Sequence, residues 1–224
     1  MTTGEILLSF IVAIVLIVIF CYTSGIVEVR SAVDNEKYQV VGEFEDSQKA
    51  ADVLAKINCT ILKFLRYLKT KYCIHSMTCN GGVDYPKHLR GIVRRILENY
   101  NPEVIIENDP RYSSDTSYTV DKGRKMYICI RNKRTLKILD TDLITFVVLH
   151  EIAHIGNRAW GHEENFWEIF KFILHEAKLA GIHNPVDYSK HATTYCGLDV
   201  NYNPYFDKKL VNIWELKYYD ESQH

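Results

Sequence analysis

Apolar residues recur at helical spacing in four stretches of the chain and at strand-like spacing in several shorter ones, and this pattern sets the expected architecture. In "SQKAADVLAKINCTILKFLRYLKTKY", Ala51, Leu54, Ile57, Ile61, Phe64, Leu65 and Leu68 form one stripe, with Asp46 or Ser47 as the candidate cap. Pro86 opens "PKHLRGIVRRILENY", where Leu89, Ile92, Val93, Ile96 and Leu97 make a second stripe, and Asn101-Pro102 stops it. Asp140 or Thr141 caps "DLITFVVLHEIAHIG", and after a short turn "ENFWEIFKFILHEAKLAGI" runs as a fourth helix to Gly181. Between the second and third helices, "EVIIE", "SYTV" and "KMYICIR" are rich in β-branched and aromatic residues. Asp121-Lys122-Gly123 separates the last two as a hairpin turn. Beyond Ile182 the chain is turn-rich and Tyr-rich and is expected to wrap the body. The prediction is an α+β fold of about four helices and a small β-sheet or hairpin.

One stretch has no polar face at all. "ILLSFIVAIVLIVIFCY", Ile6 to Tyr22, is 17 residues long without a charge, at the lower end of what crosses a bilayer's hydrocarbon core. "MTTGE" ahead of it supplies no Lys or Arg, which favours an uncleaved transmembrane anchor over a signal peptide. The expected organisation is an anchor over residues 1–23, a tether or early strand over 24–46, and a folded domain over 47–224. Arg30 and Lys37 follow the span while nothing basic precedes it, which points the domain towards the cytoplasm.

Composition narrows the picture further. At 224 residues, with 47% hydrophobic and 25% charged content, there is room for one well-packed domain and an appendage. A formal net charge of -1 gives no global field for nucleic acid, and the basic runs "KFLRYLKTKY" and "RNKRTLK" read as solvated faces. The six cysteines contain no C-x-x-C pair, which argues against a cysteine-built metal site and for ordinary thiols; only Cys73 and Cys79 are close enough to suggest a local bridge. The sequon Asn58-Cys59-Thr60 falls inside a predicted helix and is expected to be a bystander.

Chemistry concentrates in "VVLHEIAHIGNRAWGHEENFW". His150 and His154, four apart on a helix, project one turn apart from one face, where both imidazoles reach one metal ion. Glu151 shares that side and can take a proton from water held there. A third protein ligand is needed, and Asn157 and Gly161 suit a helix end and a turn that would return His162 to the site. An unpaired Glu and two His on a buried helix would be costly to desolvate without such a partner. The remaining histidines, His75, His88, His175, His183, His191 and His224, lack comparable spacing and read as structural or solvated.

"HEIAH" followed by "GHEENFW" resembles the signature of the WLM and SprT-like minimal zincins, which are zinc-dependent peptidase domains. With "ICIRNK" and "YCGLDVNYNP" added, the chain is similar over roughly Tyr118 to Tyr205 to the membrane-anchored metallopeptidase-like proteins of large nucleocytoplasmic DNA viruses. The resemblance implies that Zn2+ is the cofactor, that His150, His154 and His162 are its ligands, and that Glu151 is the catalytic acid/base. The interval between His154 and His162 is longer than is common in WLM-type domains, so Glu168 and Glu176 stay open as alternative ligands. The strand containing Tyr127, Ile128, Cys129 and Ile130 corresponds to the edge strand beside the peptide cleft, and Tyr195 and Tyr202 are candidates to stabilise the transition state.

Three function classes follow. The first is a membrane-anchored zinc peptidase that hydrolyses peptide bonds, with a lipid bilayer and a peptide or protein substrate as partners. The second is a catalytically weak or inert zincin-fold structural membrane protein of a virus particle, contacting other virion membrane or capsid proteins. The third is a nucleic-acid-associated SprT-like protease, which a membrane anchor disfavours. The expected location is a virion inner membrane or a host internal membrane.

Overall fold

The computed structural model describes residues 25–74, 85–114 and 116–220. Ile6–Tyr22 lies outside them, as do Cys79, His75 and His224; among the described residues no helix is long and apolar enough to cross a membrane.

Four helices form where the stripes place them. They are α1 (Ser47–Lys71), α2 (Lys87–Asn99), α3 (Thr141–Gly156) and α4 (Glu164–Leu179). The Asp140 carboxylate caps α3, accepting from the backbone N–H of Asp142 at 2.9 Å and of Leu143 at 3.3 Å, two of the donors a helix start leaves unpaired. Asp46 precedes α1 without capping it, because its carboxylate is drawn to Arg131 at 2.7 Å. Helix α3 is central: Phe146, Val148, Leu149, Ile152, Ala153 and Ile155 are buried against α2 and α4. Gly156 lets α2 approach its end, since a Cβ there would lie 3.1 Å from Ile92 and Ile96.

The sheet is larger than the sequence suggests. Strands β1 (Ile26–Arg30), β2 (Lys37–Val41), β3 (Ile105–Glu107), β4 (Tyr118–Val120) and β5 (Lys125–Ile128) lie in the order β1-β2-β3-β5-β4. β1 and β2 are antiparallel, β2, β3 and β5 run parallel, and β4 returns antiparallel to β5. Of the two readings of 24–46, tether or early strand, the β1–β2 pair takes the second. The expected edge strand is corrected: β5 is flanked by β3 and β4, and Ile128, Cys129 and Ile130 are buried, so the free edge belongs to β4. Between β4 and β5 the predicted turn is present, with Asp121, Lys122 and Gly123 all at positive φ. Gly123 is required there: at φ +111° a Cβ would fall 2.7 Å from Ile155 and 2.9 Å from the Asn99 carbonyl.

A buried ion pair locks the centre of the sheet. Arg131 Nε donates to Glu107 Oε1 at 2.6 Å, while Glu107 Oε2 accepts from the Val41 N–H at 2.8 Å, so one carboxylate joins the ends of β2 and β3 to the segment that follows β5. Asn58 is buried in a network with Tyr38, Tyr100 and Pro102, which removes the sequon's side chain from any glycan.

The C-terminal stretch wraps the body and forms a hairpin, β6 (Thr193–Tyr195) and β7 (Leu198–Val200). Its turn residues Cys196 and Gly197 both have positive φ, the conformation a two-residue hairpin needs. Cys196 is disulfide-bonded to Cys129 across 67 positions, so the expectation of ordinary thiols fails for this pair. Cys73 is disulfide-bonded as well, and Cys59 is the free cysteine among the described residues. Such bridges are rare in domains facing the reducing cytosol, which runs against the expected cytoplasm-facing orientation. Lys171 holds the wrap further down by donating to the Asp207 and Leu210 carbonyls at 2.8 and 2.9 Å.

Candidate metal centre and cleft

Three imidazoles converge. The Nε2 atoms of His150, His154 and His162 lie 3.2, 3.0 and 3.0 Å apart, two of them one turn apart on α3 and the third returned by the 157–163 turn. Three neutral rings cannot satisfy one another at a single point, because an unprotonated Nε2 has only a lone pair to offer. The spacing suits a metal: tetrahedral zinc with bonds of about 2.0–2.1 Å sets its nitrogen ligands about 3.3–3.4 Å apart. Among the described residues this is the group of His, Cys, Asp or Glu side chains arranged to hold an ion. Burial favours the same state. It depresses His154 to about 4, holds His150 well below its ordinary value and lowers His162, with the neighbouring histidines adding to the first two, so the rings are neutral at pH 7 as ligation requires.

Glu151 lines the same cleft without joining the three ligands. Burial pushes its carboxyl up to about 8, opposed by a hydrogen bond accepted from the backbone N–H of Thr119 on β4. The edge strand and the candidate acid/base are thereby in direct contact. The cleft has a volume of about 700 Å³. β4 forms one side, α3 its floor, and the β6–β7 hairpin with the residues following it another wall.

The turn that returns His162 is fastened by a residue the pattern did not single out for the site. Lys122 Nζ donates to the carbonyls of His154, Asn157 and Ala159 at 3.2, 2.9 and 2.6 Å and lies 4.4 Å from the centre of the Trp160 ring. Arg95 Nε adds a bond to the Gly156 carbonyl at 2.7 Å. Both cations sit where the α3 dipole is negative and its last carbonyls lack helical partners. Phe166 packs under the histidines, its ring centroid 4.2 Å from that of His154 and 4.7 Å from that of His162.

Other expected site residues are placed differently. Tyr195 lines the cleft, but it is buried and its hydroxyl donates to the Cys129 carbonyl while partnering Ser117 at 2.7 Å. Tyr202 also lines the cleft, with its hydroxyl given to Asp207 at 2.9 Å. Tyr127 stacks on Tyr118 across the β4–β5 pair instead of facing an open edge. The alternative ligands are committed elsewhere: Glu168 accepts from Tyr219, and Glu176 pairs with Lys71 at 2.7 Å. Thr119 and the wall from Leu198 to Asn201 were not singled out by the sequence, since neither has a local signal beyond strand propensity.

The fold and site together define an α+β protein with a three-histidine candidate metal centre at the edge of a mixed sheet. The chain is 30% identical over 173 residues to the uncharacterized protein R325 of Acanthamoeba polyphaga mimivirus, a match covering 77% of this chain and 81% of the relative. It belongs to the family of that viral protein. The uncharacterized proteins 042R of Invertebrate iridescent virus 3 and 136R of Invertebrate iridescent virus 6 are 33% and 31% identical over 102 residues, spanning 62% and 53% of their own lengths. No family model matches the chain. Among solved structures, Wss1 from Saccharomyces cerevisiae superposes with a TM-score of 0.43 at 15% identity, over 63% of this chain and 87% of that one.

Proposed function

We propose that the protein is a virus-encoded zinc peptidase, tethered to a membrane through Ile6–Tyr22. The observation that carries the reading is the convergence of three Nε2 atoms within 3.0–3.2 Å in a cleft that also holds the buried carboxyl of Glu151. Zinc, when bound, supplies Lewis acidity towards water and a substrate carbonyl. The chain's own groups do the rest. His150, His154 and His162 would hold the ion, three protein donors where a structural site has four. A cation held by the histidines would favour the ionised carboxylate of Glu151, which would then take the proton of the attacking water and return it to the leaving amine. The edge of β4 aligns an extended peptide by strand addition.

An inert structural role fits this donor set less well, because structural zinc sites usually close all four positions with protein ligands. A nucleic-acid role is weakened by Lys71 and Arg131, one from each basic run, which are engaged with Glu176 and Glu107. The test is Glu151→Gln in the full chain. It should bind one equivalent of zinc as wild type does and lose about 10²- to 10⁴-fold in peptide cleavage, the range of general acid–base contributions. Equal activity of the two proteins, or none in either, would refute the peptidase reading.

A further inference from the structure

The cleft is chemically uneven. One helical turn before His150, its walls are Phe146 and Val147 of α3, Trp167 and Phe170 of α4, and Val200 and Tyr202 of the C-terminal wrap. Ring contacts fix this half in shape: Phe146 on Phe170 at 5.3 Å, His150 on Phe170 at 5.2 Å, and Trp167 on Tyr202 at 5.3 Å between centroids. No side chain among the six is charged, and the Tyr202 hydroxyl is turned onto Asp207.

The ionic groups that line the cleft lie elsewhere or are occupied. Lys122 is bound to three carbonyls, Glu151 belongs to the histidine centre, and Asp199 is an exposed residue of β7 whose carboxylate accepts from Thr194 at 3.4 Å. A charged side chain entering the apolar half would lose its hydration without a dedicated partner. Val147 and Trp167 are only partly buried although their neighbours Phe146 and Phe170 are nearly inaccessible, so apolar surface is kept facing the cleft. Such a surface normally marks a binding site.

We infer that this half of the cleft is a specificity pocket for a bulky apolar side chain, of leucine or phenylalanine size, carried by a peptide segment lying along β4. The inference rests on the peptidase reading for the identity of the ligand as a peptide, and it names the substrate class. The edge strand β4, which lines the same cleft, favours an extended peptide over a free apolar molecule, since it offers main-chain groups along the path.

The experiment uses full-length Glu151→Gln protein loaded with zinc, which should hold peptides without cutting them. Fluorescent decapeptides of Gly and Ser carry a single central Leu, Phe, Ala, Glu or Lys, and binding is read by anisotropy. Leu and Phe peptides should bind roughly 10- to 150-fold more tightly than Glu or Lys peptides, the factor that full burial of such side chains gives. Introducing Val147→Glu should remove at least tenfold of that preference with zinc content unchanged. If that protein fails to retain zinc, Tyr202→Glu on the facing, more exposed wall should do the same. Equal affinities across the series, no measurable binding of the Leu and Phe peptides, or a preference untouched by either substitution would overturn the pocket. Its failure is separable from that of the peptidase reading. Selective binding without cleavage by the wild type leaves the pocket standing and removes the enzyme; cleavage indifferent to the side chain does the reverse.

Discussion

Replacing Lys122 with Met tests how the third ligand is held. Met keeps the aliphatic stem but removes an ammonium that serves the His154, Asn157 and Ala159 carbonyls and faces the Trp160 ring. Hydrogen bonds to charged groups contribute about 1.5–3 kcal/mol each when buried, and a cation over an aromatic ring adds about 0.5–1 kcal/mol. Lys122 is half-buried and its bonds share one donor group, so simple addition would overcount; water also re-solvates part of what is released. The expected loss is about 2–4 kcal/mol, or about 5–15 °C in Tm for a domain of this size. The function should respond too. His162 is carried by the turn that Lys122 ties to the end of α3, and loosening such support typically costs about 10- to 100-fold in metal affinity. Thermal melts of the zinc-free proteins and competition against a zinc chelator measure the two effects. A Tm shift under about 2 °C together with an unchanged zinc affinity would refute the account of the turn.

Zinc at 100 times its Kd should stabilise the wild type by about 2.7 kcal/mol, and His162→Ala should lose most of that gain; an equal zinc-induced shift in both proteins would exclude His162 as a ligand. Removing the Cys129–Cys196 bridge by a double Ser substitution should destabilise by about 4 kcal/mol on the loop-closure estimate for 67 residues, read in urea melts; no change would mean the hairpin is held without it. Burial lowers His183, with Asp142 opposing, so below about pH 6.5 the unfolded chain takes up a proton that the folded chain resists. Stability is therefore lost as pH falls from about 6.5, by at most about 1.4 kcal/mol per pH unit for this group. Urea melts of zinc-free His183→Gln at pH 7 and pH 5 should show a shallower loss than wild type, and an identical loss would contradict the assignment.

The helices and the two-histidine turn were legible because their information is local. A 3.6-residue stripe, an Asp cap at residue 140 and a four-residue His spacing are complete within one helix. His162 could be anticipated because Asn157 and Gly161 mark the bend that brings it back. Strands β1 and β2 were obscured for the opposite reason. "IVEVR" lies at an edge with its residues largely exposed, so it carries no inside–outside alternation, and β2 gains its place by parallel pairing with β3, far along the chain. Which member of the β4–β5 hairpin faces outward depends on β3 taking the other side of β5, a tertiary outcome that propensity does not encode. The Cys129–Cys196 bridge spans a separation at which cysteine spacing has no pattern to follow. Lys122 reads as an ordinary turn residue until the end of α3 is seen beneath its ammonium.

The strand order has a mechanical consequence. β1 begins at Ile26 and occupies one margin of the sheet, while β4 and the histidine cleft occupy the other, four strand spacings or about 19 Å across. A pull on the polypeptide at Gly25 loads the β1–β2 ladder first, and within the sheet β3 and β5 lie between that ladder and Thr119. A disturbance entering at that margin is thus spread over the width of the sheet before it reaches the three histidines at the other.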